Sequence, residues 1–140
     1  MKERLLYLIF ALLFYSTGLF AQMNISTDLR QDGVYNTETE EWEVLSTDDE
    51  ELTFFEFNKE FTMFRHTTPT ITSAYLVKSQ EENKELEQFE LSIVSDAGNK
   101  YLMIIDFKNE NVRFIYEREG SLLMVHHRIK RVWFEDDENE

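Results

Sequence analysis

The chain contains no cysteine, one proline and four glycines in 140 residues. Without cysteine it forms no disulfides or thiolate metal sites and has no cysteine nucleophile, so its stability must come from packing. Cations are also scarce: 14 Lys and Arg stand against 28 Asp and Glu, which gives a formal net charge of −14. Because such a surface repels phosphate groups, we expect it to bind neither nucleic acid nor anionic lipid.

The amino-terminal segment has the pattern of an export signal. Two cations precede an apolar run from Leu5 to Tyr15, and a more polar stretch leads to the Ala21-Gln22 junction. Leu19 is larger than the small residue usual at its position before a cleavage site, and an uncleaved anchor is the alternative. However, Leu5 to Ala21 covers only about 17 residues, the lower limit for crossing a bilayer. We predict cleavage of residues 1–21 and a periplasmic or secreted protein without stable membrane insertion.

Cleavage would leave 119 residues, enough for one small domain with a single core. The segment 1–21 carries two cations and one anion, so its removal changes the net charge from −14 to −15. We predict one β domain over residues 22–134 and a disordered, solvated acidic tail over 135–140.

Turn-forming clusters divide the domain into short apolar runs with strand alternation. Phe89, Leu91 and Ile93, for example, share one face of their run. We expect positive φ at the turn residues Gly98 and Gly120. The predicted strands lie near 52–57, 61–67, 71–79, 87–95, 100–107, 111–117 and 121–133, with a weaker pair near 34–35 and 42–45.

The run Tyr101 to Phe107 is apolar on both faces and therefore needs cover on both. The sequence predicts an all-β protein, a single antiparallel meander of about seven to nine strands curled into a barrel or half-barrel. A β-sandwich is the alternative. Small barrels of the lipocalin type have this general plan, although the Gly-x-Trp motif of lipocalins is absent here. This likeness is an analogy of fold and implies no function.

The stretch from Thr53 to Thr72 holds five phenylalanines, and its function is open to two interpretations. We predict a hairpin whose loop, Asn58-Lys59-Glu60, places one residue in the left-handed region that Asn tolerates. Phe55 and Phe57 then face the interior together with Ile93, Ile105 and Phe114. The alternative is that these aromatic residues form the wall of a ligand pocket.

The histidines are the most suggestive polar residues. His126 and His127 are adjacent in a strand, so they point to opposite faces and cannot readily bind one metal ion. One of them is either a hydrogen-bonded core residue or a polar contact inside a cavity. No nucleophile and base have catalytic spacing, and the acidic runs do not match a calcium loop. We predict no enzyme activity, no metal and no cofactor.

Two functions remain. The first is a binding module that holds a small amphipathic or apolar ligand in a barrel mouth. The second is a non-enzymatic module that binds a protein partner, or itself, through a sheet face or edge. The oligomeric state stays open. The predicted ligand-binding residues are Arg65, His66, Tyr75, Tyr116, His126 and Trp133, with Phe55, Phe57 and Phe64 as further wall candidates.

Overall fold

The computed structural model describes residues 22–135, and the predicted signal segment and the last five residues lie outside that range. Among residues 22–135, no helix has the length and apolar character needed to cross a membrane. All regular structure there is β-strand. The strands are β1 (Gln22–Asn36), β2 (Glu41–Phe57), β3 (Met63–Thr67), β4 (Thr72–Asn83), β5 (Gln88–Ser95), β6 (Lys100–Asp106), β7 (Asn111–Arg118) and β8 (Ser121–Glu135).

The eight strands form one closed antiparallel barrel. Each strand pairs with the next along the chain, and β8 returns to pair with β1. Closure leaves the barrel without the two open edges of a half-barrel. The predicted all-β meander and barrel are therefore confirmed, and the sandwich alternative is not adopted.

The barrel interior is a filled core over most of its length. Phe55 and Phe57 are buried together with Ile93, Ile105 and Phe114, as the alternation of the strands predicts. One end of the barrel, at the loop between β2 and β3, is closed by aromatic rings. Phe57 stacks on Phe61 at 4.8 Å between ring centroids, and Phe61 meets Phe89 edge-on at 6.2 Å. Most of the aromatic residues of the stretch 53–72 thus build the core.

The strands from β3 onward begin and end close to the predicted positions, except that β4 continues to Asn83, four residues past its predicted end. By contrast, β1 and the first part of β2 are much longer than the predicted weak pair. The strand prediction failed for β1 and the first part of β2 because the alternation of inward and outward side chains is broken there. The register shifts between Thr27 and Leu29 and again between Asp32 and Gly33. A bulge of this kind moves side chains to the other face of the sheet. A polar strand with two such shifts shows no regular period in its sequence.

The hairpin between β2 and β3 is present, but its left-handed residue is different from the one predicted. Phe61 has a φ of 59°, and Asn58 is not among the positive-φ residues. Asn58 serves the loop through its side chain, because its Oδ1 accepts hydrogen bonds from the backbone N–H groups of Thr62 and Met63. Gly98 and Gly120 do have positive φ, 87° and 80°, and that prediction is confirmed.

The sequence predicted that both faces of β6 are covered. Closure of the barrel covers the inner face but leaves part of the outer face exposed. Met103 and Ile105 are buried inside the barrel, whereas Leu102 on the outer face is 37% exposed. The outer face is instead covered locally, near the turn between β6 and β7, where Asp106 and Asn111 are buried although they lie on that face.

One stretch of sheet edge stays unpaired in the closed barrel. β3 pairs with β2 only over Phe54 to Phe57. The preceding residues of β2, Glu41 to Thr53, have β1 as their one neighbouring strand among the described residues. Six carboxylates along this stretch suit an edge that natural sheets protect with charge.

Candidate functional site

A cavity of about 320 Å³ occupies the end of the barrel opposite Phe61. The inward-facing residues near the ends of β3 and β7 and the beginnings of β4, β6 and β8 surround it, because these strand ends meet at one rim of the barrel. Its lining consists of Arg30, His66, Tyr75, Tyr101, Phe114, Tyr116, Arg118, Val125 and His127. We call this space the lumen cavity.

His127 is held by a partly buried carboxylate beside the cavity. Its Nδ1 lies 2.8 Å from Glu50 Oε1, and the Thr27 hydroxyl donates to the same oxygen at 3.0 Å. Burial disfavours the charged form of Glu50, but the hydrogen bond and charge of His127 outweigh it, so the pKa of Glu50 is lowered. Because a carboxylate only accepts, His127 Nδ1 carries the hydrogen of this bond.

His66 is neutral and has an unused nitrogen. Burial, followed by the charge of nearby His127, lowers the pKa of His66 to about 4. Its ring stacks on Phe55 at 4.3 Å between centroids and meets the ring of His127 at 5.5 Å. The Nε2 atom is buried and has no hydrogen-bond partner within residues 22–135. A buried polar atom left in this state costs about 1–3 kcal/mol.

Cations and hydroxyls complete the lining. Arg30 is fixed by Asp32, which accepts from its Nε at 3.1 Å and its Nη2 at 2.9 Å, and this pairing raises the pKa of Arg30. Arg118 lies over the ring of Tyr116 at 5.4 Å. Burial, and then the neighbouring Tyr101, raise the pKa of Tyr75, so its hydroxyl stays protonated at neutral pH.

The predicted site residues separate into several places. His66, Tyr75 and Tyr116 meet in the lumen cavity. Arg65 is exposed on the outer face of β3. Trp133 lies on the outer face beside Phe54, with Arg131 over its ring at 4.2 Å. His126 lines a separate groove on the outside of β8. The wall candidates Phe55, Phe57 and Phe64 belong to the core.

The prediction also missed several residues of the cavity. The sequence could have identified His127 and Tyr101 as inward-facing, because alternation places His127 with Val125 and Ile129, and Tyr101 with Met103. Val125, Ile129 and Met103 are all buried in the structure. Arg30 and Glu50 carried no such signal, since the register shifts of β1 and β2 separate them from the nearest regular period.

The cavity is suited to binding through charge, hydrogen bonds and aromatic surface. Within residues 22–135, no three His, Cys, Asp or Glu side chains converge to hold a metal ion. No protein-family model, curated protein or solved structure matches the chain, so the geometry of the cavity is what bears on function.

Proposed function

We propose that the protein is an exported binding module that holds a small amphipathic anion in its lumen cavity, without catalysis. The observation that carries this proposal is the charge of the lining. Two arginines, three tyrosines and two histidines line the cavity in a chain with a net charge of −14. No carboxylate belongs to the lining itself, and the nearest ones, Asp32 and Glu50, pair with Arg30 and His127. Such a local excess of cations favours an acidic ligand.

The apolar part of the ligand would contact rings. Phe114 is buried at the base of the cavity and packs against Tyr75 at 6.1 Å and Tyr101 at 6.0 Å between centroids. A flat or short aliphatic body would lie against these faces, with its acidic group near Arg30 and Arg118. Small-molecule sites generally combine apolar walls with a few polar groups that fix orientation, and about 300 Å³ is the lower end of their size range.

His66 supports the proposal because its buried Nε2 lacks a partner that a bound ligand would supply. Neutral imidazole has one donor and one acceptor nitrogen, so His66 can either donate to an acid group or accept from a hydroxyl. The tyrosine hydroxyls offer the same choice. The ligand class is thus a small acid with an apolar body.

A matched pair of probes tests the proposal. Octanoate and octanol share an alkyl body and differ in charge, and calorimetry on protein beginning at Gln22 measures their Kd values. We expect octanoate to bind at least tenfold more tightly than octanol. Arg118→Met should remove this preference, whereas Arg131→Met, a loss of the same charge on the outer face, should preserve it. Equal binding of both probes, or no binding of octanoate at 10 mM, would contradict the proposal.

A native mass spectrum of protein purified from its own host provides a second test. A retained small acid, absent from the Arg118→Met protein, would identify the natural ligand. The same spectrum reports oligomeric state.

A second candidate is a module that adds a partner strand to the free edge of β2. The observation in its favour is that Val44, Leu45 and Leu52 are all exposed along the stretch Glu41 to Thr53. Strand addition to an open edge is a common mode of protein recognition. Against it, the acidic side chains along this edge oppose pairing. A wild-type dimer in the native spectrum that Leu45→Lys dissociates, together with failure of octanoate to bind, would favour this candidate.

A further inference from the structure

A second cavity, of about 330 Å³, lies on the outer surface of the barrel and is separate from the lumen cavity. We call it the outer groove. It is bounded by the end of the β1–β2 hairpin, the turn between β6 and β7, and β8. Its lining consists of Gln31, Asp32, Gly33, Trp42, Glu43, Val44, Asp106, Asn109, Asn111, Arg113, Met124 and His126.

Polar side chains of the groove form a buried network on what is otherwise the solvent face of the sheet. Arg113 Nη2 donates to Gln88 Oε1 at 3.2 Å and to Asp106 Oδ2 at 3.3 Å. Asn109 donates to Asp106 through both its backbone N–H and its side chain. Gln88, Asp106 and Asn111 are buried, although alternation places them on the outer face.

Three atoms of this network have no hydrogen-bond partner in the described part of the chain. They are Arg113 Nε, Asn111 Oδ1 and His126 Nδ1. The first is an obligate donor and the second an obligate acceptor. Burial, and then the charge of Arg113, lower the pKa of His126, so its imidazole is neutral near pH 7 and its Nδ1 either donates or accepts a hydrogen bond. The unmet requirement is therefore for donors and acceptors together.

Each carboxylate of the groove already accepts a hydrogen bond. Asp32 accepts from Arg30, Asp106 from Arg113 and Asn109, and Glu43 from the side-chain amide of Asn36. A bound anion would meet these carboxylates, and a bound cation could not accept from Arg113 Nε. Neither class of charged ligand completes the network.

The opposite wall of the groove is apolar. Trp42 is 37% exposed, and its ring meets that of Tyr35 edge-on at 5.3 Å. It also lies beside Gly33, where an added Cβ would come within 3.1 Å of the Glu43 carbonyl oxygen and 4.0 Å of the Trp42 ring. Glycine thus lets the hairpin strands and the indole approach closely. Val44 and Met124 extend the apolar surface.

We propose that the outer groove binds a neutral glycan, one or two sugar rings in size. A sugar hydroxyl both donates and accepts, so one ring edge can satisfy Arg113 Nε and Asn111 Oδ1 at once. The C–H face of the ring would pack on Trp42. Because the three unpartnered atoms are screened from solvent, the ligand must displace part of the lining. Trp42 lies where β2 pairs with β1 alone, so this part of the wall is the least constrained.

Fluorescence of Trp42 tests the proposal directly. The chain has two tryptophans, so Trp133→Phe leaves Trp42 as the one emitter. This protein is titrated with cellobiose, lactose, maltose and chitobiose, each to 50 mM. We expect a saturable change with at least one of them. Glucuronate should bind at least tenfold more weakly than glucose, because the groove already holds three carboxylates.

Two variants connect the signal to the groove. Arg113→Lys keeps the charge but removes the Nε–H, and should raise Kd at least tenfold. Because that change also alters the buried network, Val44→Arg provides a second variant at a side chain that is 60% exposed. It obstructs the groove without touching the core, and it should abolish the signal. Leu76→Arg, a matched change at an exposed residue of β4, should leave the titration unchanged.

Three outcomes would overturn the glycan proposal. The first is that none of the four sugars saturates the signal, in which case ordered water completes the network. The second is tighter binding of glucuronate than of glucose. The third is saturation by N-methylacetamide at lower concentration than by any sugar, which would identify a peptide amide as the ligand group. None of these bears on octanoate binding in the lumen cavity.

Discussion

Single side chains of this barrel perform two different tasks on its inner surface. Phe55 and Phe57 fill space among other rings, whereas His66, one strand away from Phe55, keeps a polar atom without a partner. The pairing of β2 and β3 places Phe55 directly opposite His66. The boundary between core and site therefore passes between these two neighbours. Mutation of the core residue should change packing, whereas mutation of His66 should change the pH dependence of stability.

Phe57→Ala should lower the free energy of unfolding by about 3–5 kcal/mol, because it removes a buried ring and leaves a cavity. Phe57 is 2% exposed and touches the rings of Phe61 and Phe64, each at 4.8 Å between centroids. Urea melts of the two proteins measure the difference. Leu76→Ala, at a residue that is 50% exposed, provides the control and should stay within about 0.5 kcal/mol. A loss below about 1 kcal/mol for Phe57→Ala would contradict the core assignment.

The unfolding free energy should also fall as pH decreases from about 6.5 to about 4. Unfolded His66 gains a proton near pH 6.5, whereas in the folded protein its pKa is about 4, so protonation favours the unfolded state across this window. The loss from His66 is on the order of 2–4 kcal/mol. Urea melts at pH 7, 5.5 and 4.5 measure it.

His66→Phe should lose less stability over the same pH range. His126 also has a lowered pKa and is retained in both proteins, so the difference between them isolates His66. Glu50 has a lowered pKa in the fold and also loses stabilising effect as pH approaches 4.5, but it is retained in both proteins. Parallel pH profiles for the two proteins would show that His66 is charged or solvated in the fold.

At the scale of strands and turns, the regular alternation of apolar and polar residues predicted the strands well. β5, β6 and β7 follow a period of two, and their inward residues are buried as predicted, apart from the half-buried Tyr101 and Tyr116 at the cavity. β1 and β2 are long elements, with 15 and 17 residues, yet their bulges and polar residues hid most of both from sequence patterns. The same strands contribute Arg30 and Glu50 to the candidate site, so one physical cause hid both the strands and part of the site.

The turn between β2 and β3 permits a sharp test of backbone conformation. Phe61 combines a buried ring with a φ of 59°, which strains a residue that has a Cβ. Both Phe61→Ala and Phe61→Gly lose the ring, but only glycine relieves the strain. We expect the glycine variant to be more stable than the alanine variant by about 1 kcal/mol in urea melts. Greater stability of the alanine variant would contradict the left-handed assignment.

At the scale of the molecule, the barrel has a closed end and an open end. Phe61, Phe89 and Phe107 fill the closed end, and the lumen cavity occupies the other. The chain carries a strongly negative charge, yet two of its seven arginines, Arg30 and Arg118, line the cavity. An acidic ligand in the lumen cavity would therefore meet favourable charge at that end. This segregation makes binding of octanoate sensitive to salt, with weaker binding at higher ionic strength.

Closure of the barrel through β1 and β8 makes folding an event of the whole chain. Gln22 pairs with Glu135, 113 positions away, and this pairing continues to Val34 and Leu123. Closing so long a loop costs chain entropy before the contacts between β1 and β8 can form, so refolding should take milliseconds to seconds. A circular permutant that joins Glu135 to Gln22 by a short linker and opens the chain at Ala97 would convert the pairing of β1 with β8 into a local hairpin. Stopped-flow refolding should then be faster, while the urea midpoint changes little; an unchanged rate would place the slow step in another pair of strands.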